Sequence, residues 1–247
     1  MHRLPVESAL LAQDAVSLPS AAAHHLRVLR PKPGERVELF DGLGRQRVYS
    51  CGIDASAPLM AAGDVQIFPK VARPVTLFAC VTKGSRWDWT VEKATELGVS
   101  KIVPVISDRC VVRLSAGERE SKAIRWRRIA EDAARQSHAA WLPEIMPAAD
   151  FRDCIDMVGA TECFAGVIAD PPPPPLLKAL EESRASTGTL GFFVGPEGDF
   201  TPAELDALKS VANPVSLGPT VLRAETAAIF GLSVMMGFLE KGTGAAK

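Results

Sequence analysis

The chain has 247 residues, of which 47% are hydrophobic and 23% charged, and its formal net charge at pH 7 is −1. This composition excludes a disordered chain and a disulfide-built scaffold, and the length predicts one large domain or two unequal ones. The five cysteines never form a C-x-x-C pair. Their spacing argues against a zinc knuckle or a secreted framework and favours reduced thiols in a cytosol.

No membrane or export segment is expected. The longest apolar run, residues 227–239, is shorter than the roughly 18–20 residues that cross a bilayer, and it contains two glycines and a serine. The first 14 residues lack the apolar stretch of an export signal. We therefore expect a cytoplasmic protein.

The first 70 residues carry the pattern of antiparallel strands. Residues 36–53 alternate apolar and polar around the sequence DGLG at 41–44, which predicts a hairpin with a glycine turn. The G-x-G in this turn does not indicate a dinucleotide site, because a third glycine is missing and a strand follows. With further strand-like runs near 3–6 and 64–68, the segment predicts a small β-barrel. Its end is marked by Pro69, Arg73 and Pro74.

From residue 74 the pattern changes to short apolar runs that alternate with helical segments. Runs that are apolar on both faces are typical of a parallel sheet covered on both sides by helices. We therefore predict an α/β domain over residues 74–247, with strands at 75–82, 101–106, 163–169, 190–195 and 214–218.

Helix boundaries in this domain can also be predicted. Residues 201–204 (TPAE) have the pattern of a capping box, and Gly98 stands where a left-handed residue ends a helix. A further helix is predicted over 118–137. Its inward face is expected to consist of Ile124, Ile129 and Ala133.

Charge is distributed unevenly along the chain. Residues 83–138 hold 12 Lys/Arg against 8 Asp/Glu, whereas residues 139–247 hold 7 against 14. The excess of positive charge indicates a basic face that suits a polyanion. A solvated helix face would give the same imbalance and remains the alternative.

Two glycine-proline turns follow predicted strands, in the stretches 192–200 (FFVGPEGDF) and 216–227 (SLGPTVLRAETA). In an open α/β sheet, ligands bind beyond the carboxyl ends of the strands, and glycine lets the backbone approach a ligand closely. The two turns therefore predict one pocket, with ordinary strand-to-helix turns as the alternative. Neither turn has P-loop spacing, and the four histidines are too scattered to indicate a metal site.

A tract of five prolines at 171–175 follows one of the predicted strands. Proline fixes its own backbone and lacks an amide donor, so the tract is expected to be extended polyproline II. We interpret it as a stiff surface connector. A ligand for an SH3-like domain is the alternative.

Three stretches, in this order, resemble the ribosomal RNA small subunit methyltransferase E family: 83–112 (KGSRWDWTVEKATELGVSKIVPVISDRCVV), 193–205 (FVGPEGDFTPAEL) and 216–228 (SLGPTVLRAETAA). A fourth, at 24–45, extends the resemblance over nearly the whole chain. It implies an RNA-binding PUA-like β-barrel over 1–72. It also implies an α/β SPOUT domain over 73–247 with a mostly parallel sheet, a C-terminal trefoil knot and a homodimer interface. A buried helix within one chain would explain the small residues at 224–238 equally well.

The resemblance also implies an activity. The family methylates N3 of a uridine in 16S ribosomal RNA with S-adenosylmethionine, so the expected partner is this RNA, free or within the small ribosomal subunit. By matching motifs, the cofactor-binding residues are Ile168, Ala169, Val194, Gly195, Pro196, Glu197, Gly198, Leu217, Gly218, Val221, Leu222 and Arg223. The expected phosphate contacts are Arg3, Arg27, Arg30, Lys83, Arg86, Arg109 and Arg113.

Arg223 is the first catalytic candidate. A uracil N3 reacts as its anion, and a fixed guanidinium would stabilise that charge, as the donors of an oxyanion hole do. The alternative is a salt bridge from Arg223 to Glu225 or Glu197. Glu225 is the second catalytic candidate, with structural pairing as its alternative and helix capping as the role of Thr226. No general base stands out, which leaves water or a carboxylate to take the proton.

The sequence departs from the family where His138 and Ala139 replace the usual Gly-Arg. His138 is either a weak substitute for the missing arginine or a helix cap. Two other functions remain open: a SPOUT methyltransferase with another target, and a non-catalytic RNA-binding or ribosome-assembly protein. The strings ELGV at 96–99 and LRAETA at 222–227 argue against the first. The intact glycine-proline turns argue against the second.

Overall fold

The structure is a computed structural model that describes residues 1–52, 57–159, 161–183 and 188–242, with residues 241 and 242 described as backbone only. The described chain divides into two compact units. The first comprises Met1–Lys70 and Glu131–Leu142, and the second comprises Val71–Ala130 and the residues from Pro143 onward. The sequence predicted a boundary between residues 72 and 73, and it did not predict that residues 131–142 join the first unit.

The first unit is built on a six-stranded sheet with two short helices. Its strand order is β1-β3-β4-β5-β2, and β6 pairs with β4. Because β1 and β2 stand at opposite ends of this order, closure into a barrel stays a prediction. The elements are β1 (His2–Pro5), α1 (Ser8–Leu11), β2 (Ala15–Val16), α2 (Ser20–Leu29), β3 (Arg36–Phe40), β4 (Arg45–Ser50), β5 (Leu59–Ala61) and β6 (Gln66–Ile67).

The predicted hairpin is confirmed in this unit. Strands β3 and β4 pair antiparallel, with Phe40 opposite Gln46. Between them, Oδ1 of Asp41 accepts hydrogen bonds from the amides of Leu43 (2.7 Å) and Arg45 (3.0 Å), so the aspartate side chain fixes the turn. Residue 53, the last of the predicted hairpin, lies outside the described residues.

The second unit is the predicted α/β domain. Its seven-stranded sheet has the order β10-β8-β7-β12-β11-β13, with β9 beside β8, and these strands pair in parallel. The elements are β7 (Val75–Cys80), α3 (Ser85–Glu96), β8 (Lys101–Ile106), α4 (Ala116–Ser137), β9 (Glu144–Ile145), β10 (Ala149–Asp150), α5 (Phe151–Asp156), β11 (Glu162–Gly166), α6 (Leu176–Glu182), β12 (Leu190–Val194), α7 (Pro202–Lys209), β13 (Ala212–Val215) and α8 (Ala224–Gly242). Residues of α4 from Glu131 onward belong to the first unit.

Two hydrophobic clusters cover the parallel sheet. One contains residues of α3, α4, α6 and α8, such as Trp87 and Leu232, and the other contains residues of α5 and α7, such as Cys154 and Leu208. Side chains of one strand alternate between the clusters, as Phe192 and Phe193 of β12 do. The sheet is therefore buried on both faces, which explains why its strands are continuous apolar runs.

The helix signals are confirmed at two positions, and one prediction is wrong. Thr201 and Glu204 form a complete capping box at the start of α7, and Gly98 has a φ of +82° just beyond α3. In α4, Ile124 does not face inward, because it is 45% exposed. The buried stripe of this helix is formed by small residues and Trp126, whose ring packs edge-on against that of Trp87 at 5.5 Å.

The parallel arrangement places the loops after β7, β8, β11, β12 and β13 at the same edge of the sheet. In the part of the chain that the structure describes, no helix combines the length and the apolar character needed to cross a membrane.

Candidate functional site

A cavity of about 660 Å³ opens at the carboxyl edge of the parallel sheet. Three loops form it: residues 166–175 after β11, residues 194–199 after β12 and residues 216–222 after β13. The first turns of α8 add Ala224 and Ala227. Because β12, β11 and β13 are neighbours in the sheet, segments that are distant in sequence meet at one site.

Most of the predicted cofactor-binding residues line this cavity. Gly198 and Arg223 lie in the same loops but are not part of the lining. The structure thus brings the predicted set together, and its role toward a cofactor stays a prediction. The ten that line the cavity are Ile168, Ala169, Val194, Gly195, Pro196, Glu197, Leu217, Gly218, Val221 and Leu222.

Glycines set how closely the three loops approach one another. A β-carbon on Gly166 would lie 3.0 Å from Cδ1 of Leu217, and one on Gly195 would lie 3.2 Å from Oδ1 of Asp199. A larger residue at either position would push the neighbouring side chain outward, so the narrow separation depends on glycine. Gly218 serves a different purpose, since its φ of +129° is a conformation that other residues rarely adopt.

The five-proline tract, which we call the proline wall (residues 171–175), contributes three side chains to one side of the cavity. The carbonyl of Pro174 accepts a hydrogen bond from the amide of Ser216 (2.9 Å), and the carbonyl of Ser216 accepts one from Leu176 (3.1 Å). The tract is outside the helices and strands, as predicted, but it is more than a surface connector. The residues that face the cavity are Pro172, Pro173 and Pro175.

Sequence reasoning missed this wall as part of the site. The available signal was its position, because the tract lies in the loop after β11, at the edge where ligands bind. Asp170, Ser216, Pro219 and Thr220 also line the cavity and were not predicted.

Arg223 is exposed, and its side chain has no ion pair or hydrogen bond among the described residues. The salt bridge that was its alternative role is therefore not found. Glu197 instead pairs with Arg86, with 2.9 Å between Oε1 and Nη1. Because no described residue pairs with this guanidinium, which follows the cavity-lining Leu222, it is available to a ligand.

Glu225 lies in the first turn of α8, where the helix dipole favours a carboxylate. Its side chain is buried, and Oε2 has no hydrogen-bond partner in the described part of the chain. A buried carboxylate oxygen is costly to leave unsatisfied, so a purely structural pairing is not found here. Helix α8 begins at Ala224, so Thr226 stands inside the helix and does not cap it.

The predicted phosphate contacts differ in accessibility. Lys83, in the loop after β7, is exposed and has no partner among the described residues. Arg27 and Arg30 are exposed around the end of α2 in the first unit. Arg86, Arg109 and Arg113 lie in the second unit with part of their side chains engaged by the protein.

The prediction for Arg3 is wrong. Its side chain is 3% exposed. Nε donates to Glu38 (2.5 Å), Nη1 donates to the carbonyls of Ala134 (2.7 Å) and Ala139 (2.9 Å), and Nη2 donates to Gln46 (3.1 Å). A buried guanidinium that is bonded in this way holds the first unit together and is not accessible to a phosphate.

His138 follows the last residue of α4 with a φ of +59°. This left-handed conformation is the one that glycine usually supplies at a helix end. The side chain Nδ1 lies 3.8 Å from Oε1 of Glu38. The helix-end interpretation of His138 is thus supported by its backbone, and the arginine of the family has no counterpart at Ala139.

The five cysteines are buried free thiols. A hydrogen bond with Cys80 and further ones with Ser107 lower the pKa of Cys110 to about 6, against the opposing effect of burial. Burial raises the pKa of Cys154 and of Cys163 to about 12. Within the described ranges, no group of His, Cys, Asp or Glu residues could hold a metal ion.

Comparisons with known families agree with this organisation. A family described as RNA methyltransferase domain matches residues 69–236, and one described as RNA methyltransferase PUA domain matches residues 18–51. A Synechocystis protein named Ribosomal RNA small subunit methyltransferase E is 30% identical over 97% of this chain and 78% of its own length. A Mycobacterium bovis protein of the same name is 30% identical over 86% of this chain and 82% of its own length.

Two solved structures resemble the chain over 96% of both lengths. One is a Ribosomal RNA small subunit methyltransferase E from Neisseria gonorrhoeae bound to S-adenosyl methionine, with 28% identity and a TM-score of 0.81. The other is a putative methyltransferase from Legionella pneumophila in complex with the cofactor SAM, with 25% identity and a TM-score of 0.81.

Proposed function

This chain belongs to the ribosomal RNA small subunit methyltransferase E family, and from that premise we propose that it transfers a methyl group from S-adenosylmethionine to N3 of a uridine in 16S ribosomal RNA. The observation that carries the proposal is the cavity, because ten of the twelve residues that the family motifs assign to the cofactor line it.

The cavity suits this cofactor in size and in chemistry. Its volume of about 660 Å³ is within the range of small-molecule sites, roughly 300–1,000 Å³. Its walls are mainly apolar side chains and glycine backbone, which bind a heterocycle through packing and through peptide N–H and C=O groups. The loops at 194–197 and 217–222, with Ile168 and Ala169, would hold it.

The bound cofactor supplies an electrophilic methyl group on a sulfonium, so the chain itself must make the uracil nucleophilic. Arg223 is the group we assign to this task. Its guanidinium, which no described residue pairs with, stabilises the anion of the base, with charge on the ring oxygens, and thereby lowers the pKa of N3. Glu225 is the second polar group, with Oε2 free to accept a hydrogen bond. Water or a carboxylate takes the proton.

RNA binding is proposed for both units. Lys83, Arg86 and Arg113 would contact phosphates from the second unit, and Arg27 and Arg30 would do so from the first. The target base must leave its stack to reach a cavity at a sheet edge. A PUA-like barrel in the first unit, a trefoil knot in the second and a homodimer complete the proposal.

The experiment that tests the target uses cells that lack the protein. We expect 3-methyluridine to disappear from 16S ribosomal RNA, measured by mass spectrometry of its nucleosides, and to return with the wild-type gene. Unchanged 3-methyluridine would contradict the proposed target, and loss of another methylated nucleoside would favour a different SPOUT activity.

A non-catalytic RNA-binding role is favoured by one observation, the absence of the family arginine at Ala139. The formed cavity opposes it. Calorimetry with S-adenosylmethionine separates the two, because a binding module that has lost activity has no reason to keep cofactor affinity. Saturable binding supports the enzyme, and none supports the module.

A further inference from the structure

The turn after β12 is tied to the loop after β8 by two side chains. Nη1 of Arg109 donates hydrogen bonds to the carbonyls of Gly198 (2.8 Å) and Phe200 (3.3 Å). In the opposite direction, Oε1 of Glu204 accepts a hydrogen bond from the amide of Asp108 (2.8 Å). Residues 198–204 are therefore hydrogen-bonded to residues 108 and 109 in both directions, and we call these contacts of Arg109 and Glu204 the clasp.

Glu204 does more than a helix cap requires. Its side chain is 6% exposed, and Oε2 accepts hydrogen bonds from the amide (2.8 Å) and the hydroxyl (3.0 Å) of Thr201. A capping box needs only that oxygen. The second oxygen reaches Asp108, which is 96 positions away in the chain, and the start of α7 does not need this contact.

The turn between these contacts needs external support. Asp199 adopts a left-handed φ of +58°, which aspartate tolerates better than most residues but which still costs free energy. Its amide donates to the carbonyl of Pro196 (2.9 Å), which closes the turn on the residues that line the cavity. Loss of the outer contacts would let Gly195 and Glu197 leave their positions.

We propose that Arg109 and Glu204 are positioning residues that hold the 194–200 turn in its cofactor-binding shape before the cofactor arrives. The inference rests on the proposed function, since it takes S-adenosylmethionine as the ligand. A site that is already ordered spends less of its binding energy on ordering a loop, so the two residues raise cofactor affinity without touching the cofactor. Arg109 is then a brace within the protein, and its assignment as a phosphate contact is replaced.

The first test measures cofactor affinity of the full chain by calorimetry with S-adenosylmethionine and with S-adenosylhomocysteine. We expect Arg109→Ala to weaken both about tenfold, as loss of a hydrogen bond from a charged donor does. Arg109→Lys should recover part of the loss, because one donor still reaches the carbonyl of Gly198. The matched control is Arg127→Ala, another exposed arginine that donates to a backbone carbonyl, that of Ile145, and it should change affinity less than twofold.

Kinetics and RNA binding separate a brace from a phosphate contact. For Arg109→Ala we expect a higher KM for the cofactor with kcat within about threefold at saturation, since no reacting group is removed. The salt dependence of binding to a small-subunit RNA fragment should keep the wild-type slope, whereas Lys83→Ala should lower the slope by roughly one. Wild-type cofactor affinity in Arg109→Ala, together with a slope reduced as in Lys83→Ala, would overturn the proposal.

Glu204→Gln tests the other half of the clasp at constant size. It should weaken cofactor binding, and the double variant with Arg109→Ala should lose less affinity than the product of the two single losses, because both act on one turn. If the loss of cofactor affinity in the double variant equals the product of the two single losses, the two residues act independently and their joint role is overturned. If the wild-type chain binds the cofactor but methylates no small-subunit RNA, the proposed function fails. The cofactor affinities of the variants relative to the wild type still test whether Arg109 and Glu204 hold the turn.

Discussion

Replacing Gly231 with alanine should destabilise the second unit, because Gly231 sits where α8 packs on β12. A β-carbon there would lie 2.1 Å from Cε1 and 2.2 Å from Cζ of Phe192, whose side chain is fully buried. Ordinary contact begins at 3.4 Å, so the helix or the ring must move by roughly 1.3 Å. Overpacking a core costs about 1–3 kcal/mol, and we place a displacement this large at about 2–3 kcal/mol, which exceeds the roughly 1 kcal/mol that alanine gains over glycine inside a helix.

We expect a net loss of about 1–2 kcal/mol and a Tm lower by roughly 2–8 °C, measured by calorimetric unfolding of the purified chain. The control is Gly237→Ala in the same helix, where a β-carbon would meet nothing within 4 Å. That variant keeps only the propensity gain and should be stabilised by up to about 1 kcal/mol. Shifts of the same sign in both variants would refute the packing argument.

Arg223→Ala should keep cofactor affinity within a few-fold and lower turnover at least ~10²-fold, as loss of one charge-stabilising group does. Single-turnover rates at saturating cofactor check this, and a rate equal to that of the wild type would remove Arg223 from catalysis. The double variant Pro172→Ala, Pro173→Ala should weaken S-adenosylmethionine binding several-fold with a less favourable binding entropy, because the proline wall loses stiffness. Calorimetry measures both quantities, and unchanged values would contradict a role for the proline wall. Arg3→Ala should destabilise the chain by about 3–5 kcal/mol in denaturant unfolding, because Glu38 is left buried without its partner. A loss of RNA affinity in that variant at unchanged stability would contradict our correction.

The elements that the sequence predicted correctly are those whose causes are local. The hairpin turn is fixed by Asp41, which bonds amides two and four residues away. The start of α7 is fixed by residues three apart, Thr201 and Glu204. Unbroken apolar runs predict the buried parallel strands, and the shared carboxyl edge of these strands predicts where the ligand-binding loops lie.

The predictions that failed depend on partners far along the chain. The stripe of α4 turns away from Ile124 because Trp126 packs against Trp87, a contact that helical periodicity alone does not contain. Arg3 looked like a phosphate contact because its partner Glu38 is 35 positions away. The pairing of the proline wall with the loop after β13 is equally non-local, and a run of prolines does not by itself predict it.

The cavity has a stiffer side and a less constrained one. The proline wall has little backbone freedom, whereas the loop after β13 contains Gly218 and Val221, and Val221 is 75% exposed. We therefore expect spent cofactor to leave and fresh cofactor to enter by displacement of residues 217–222. The pace of exchange between successive turnovers would then be set by that loop, and the rigid side would act as the fixed surface against which each new molecule is aligned.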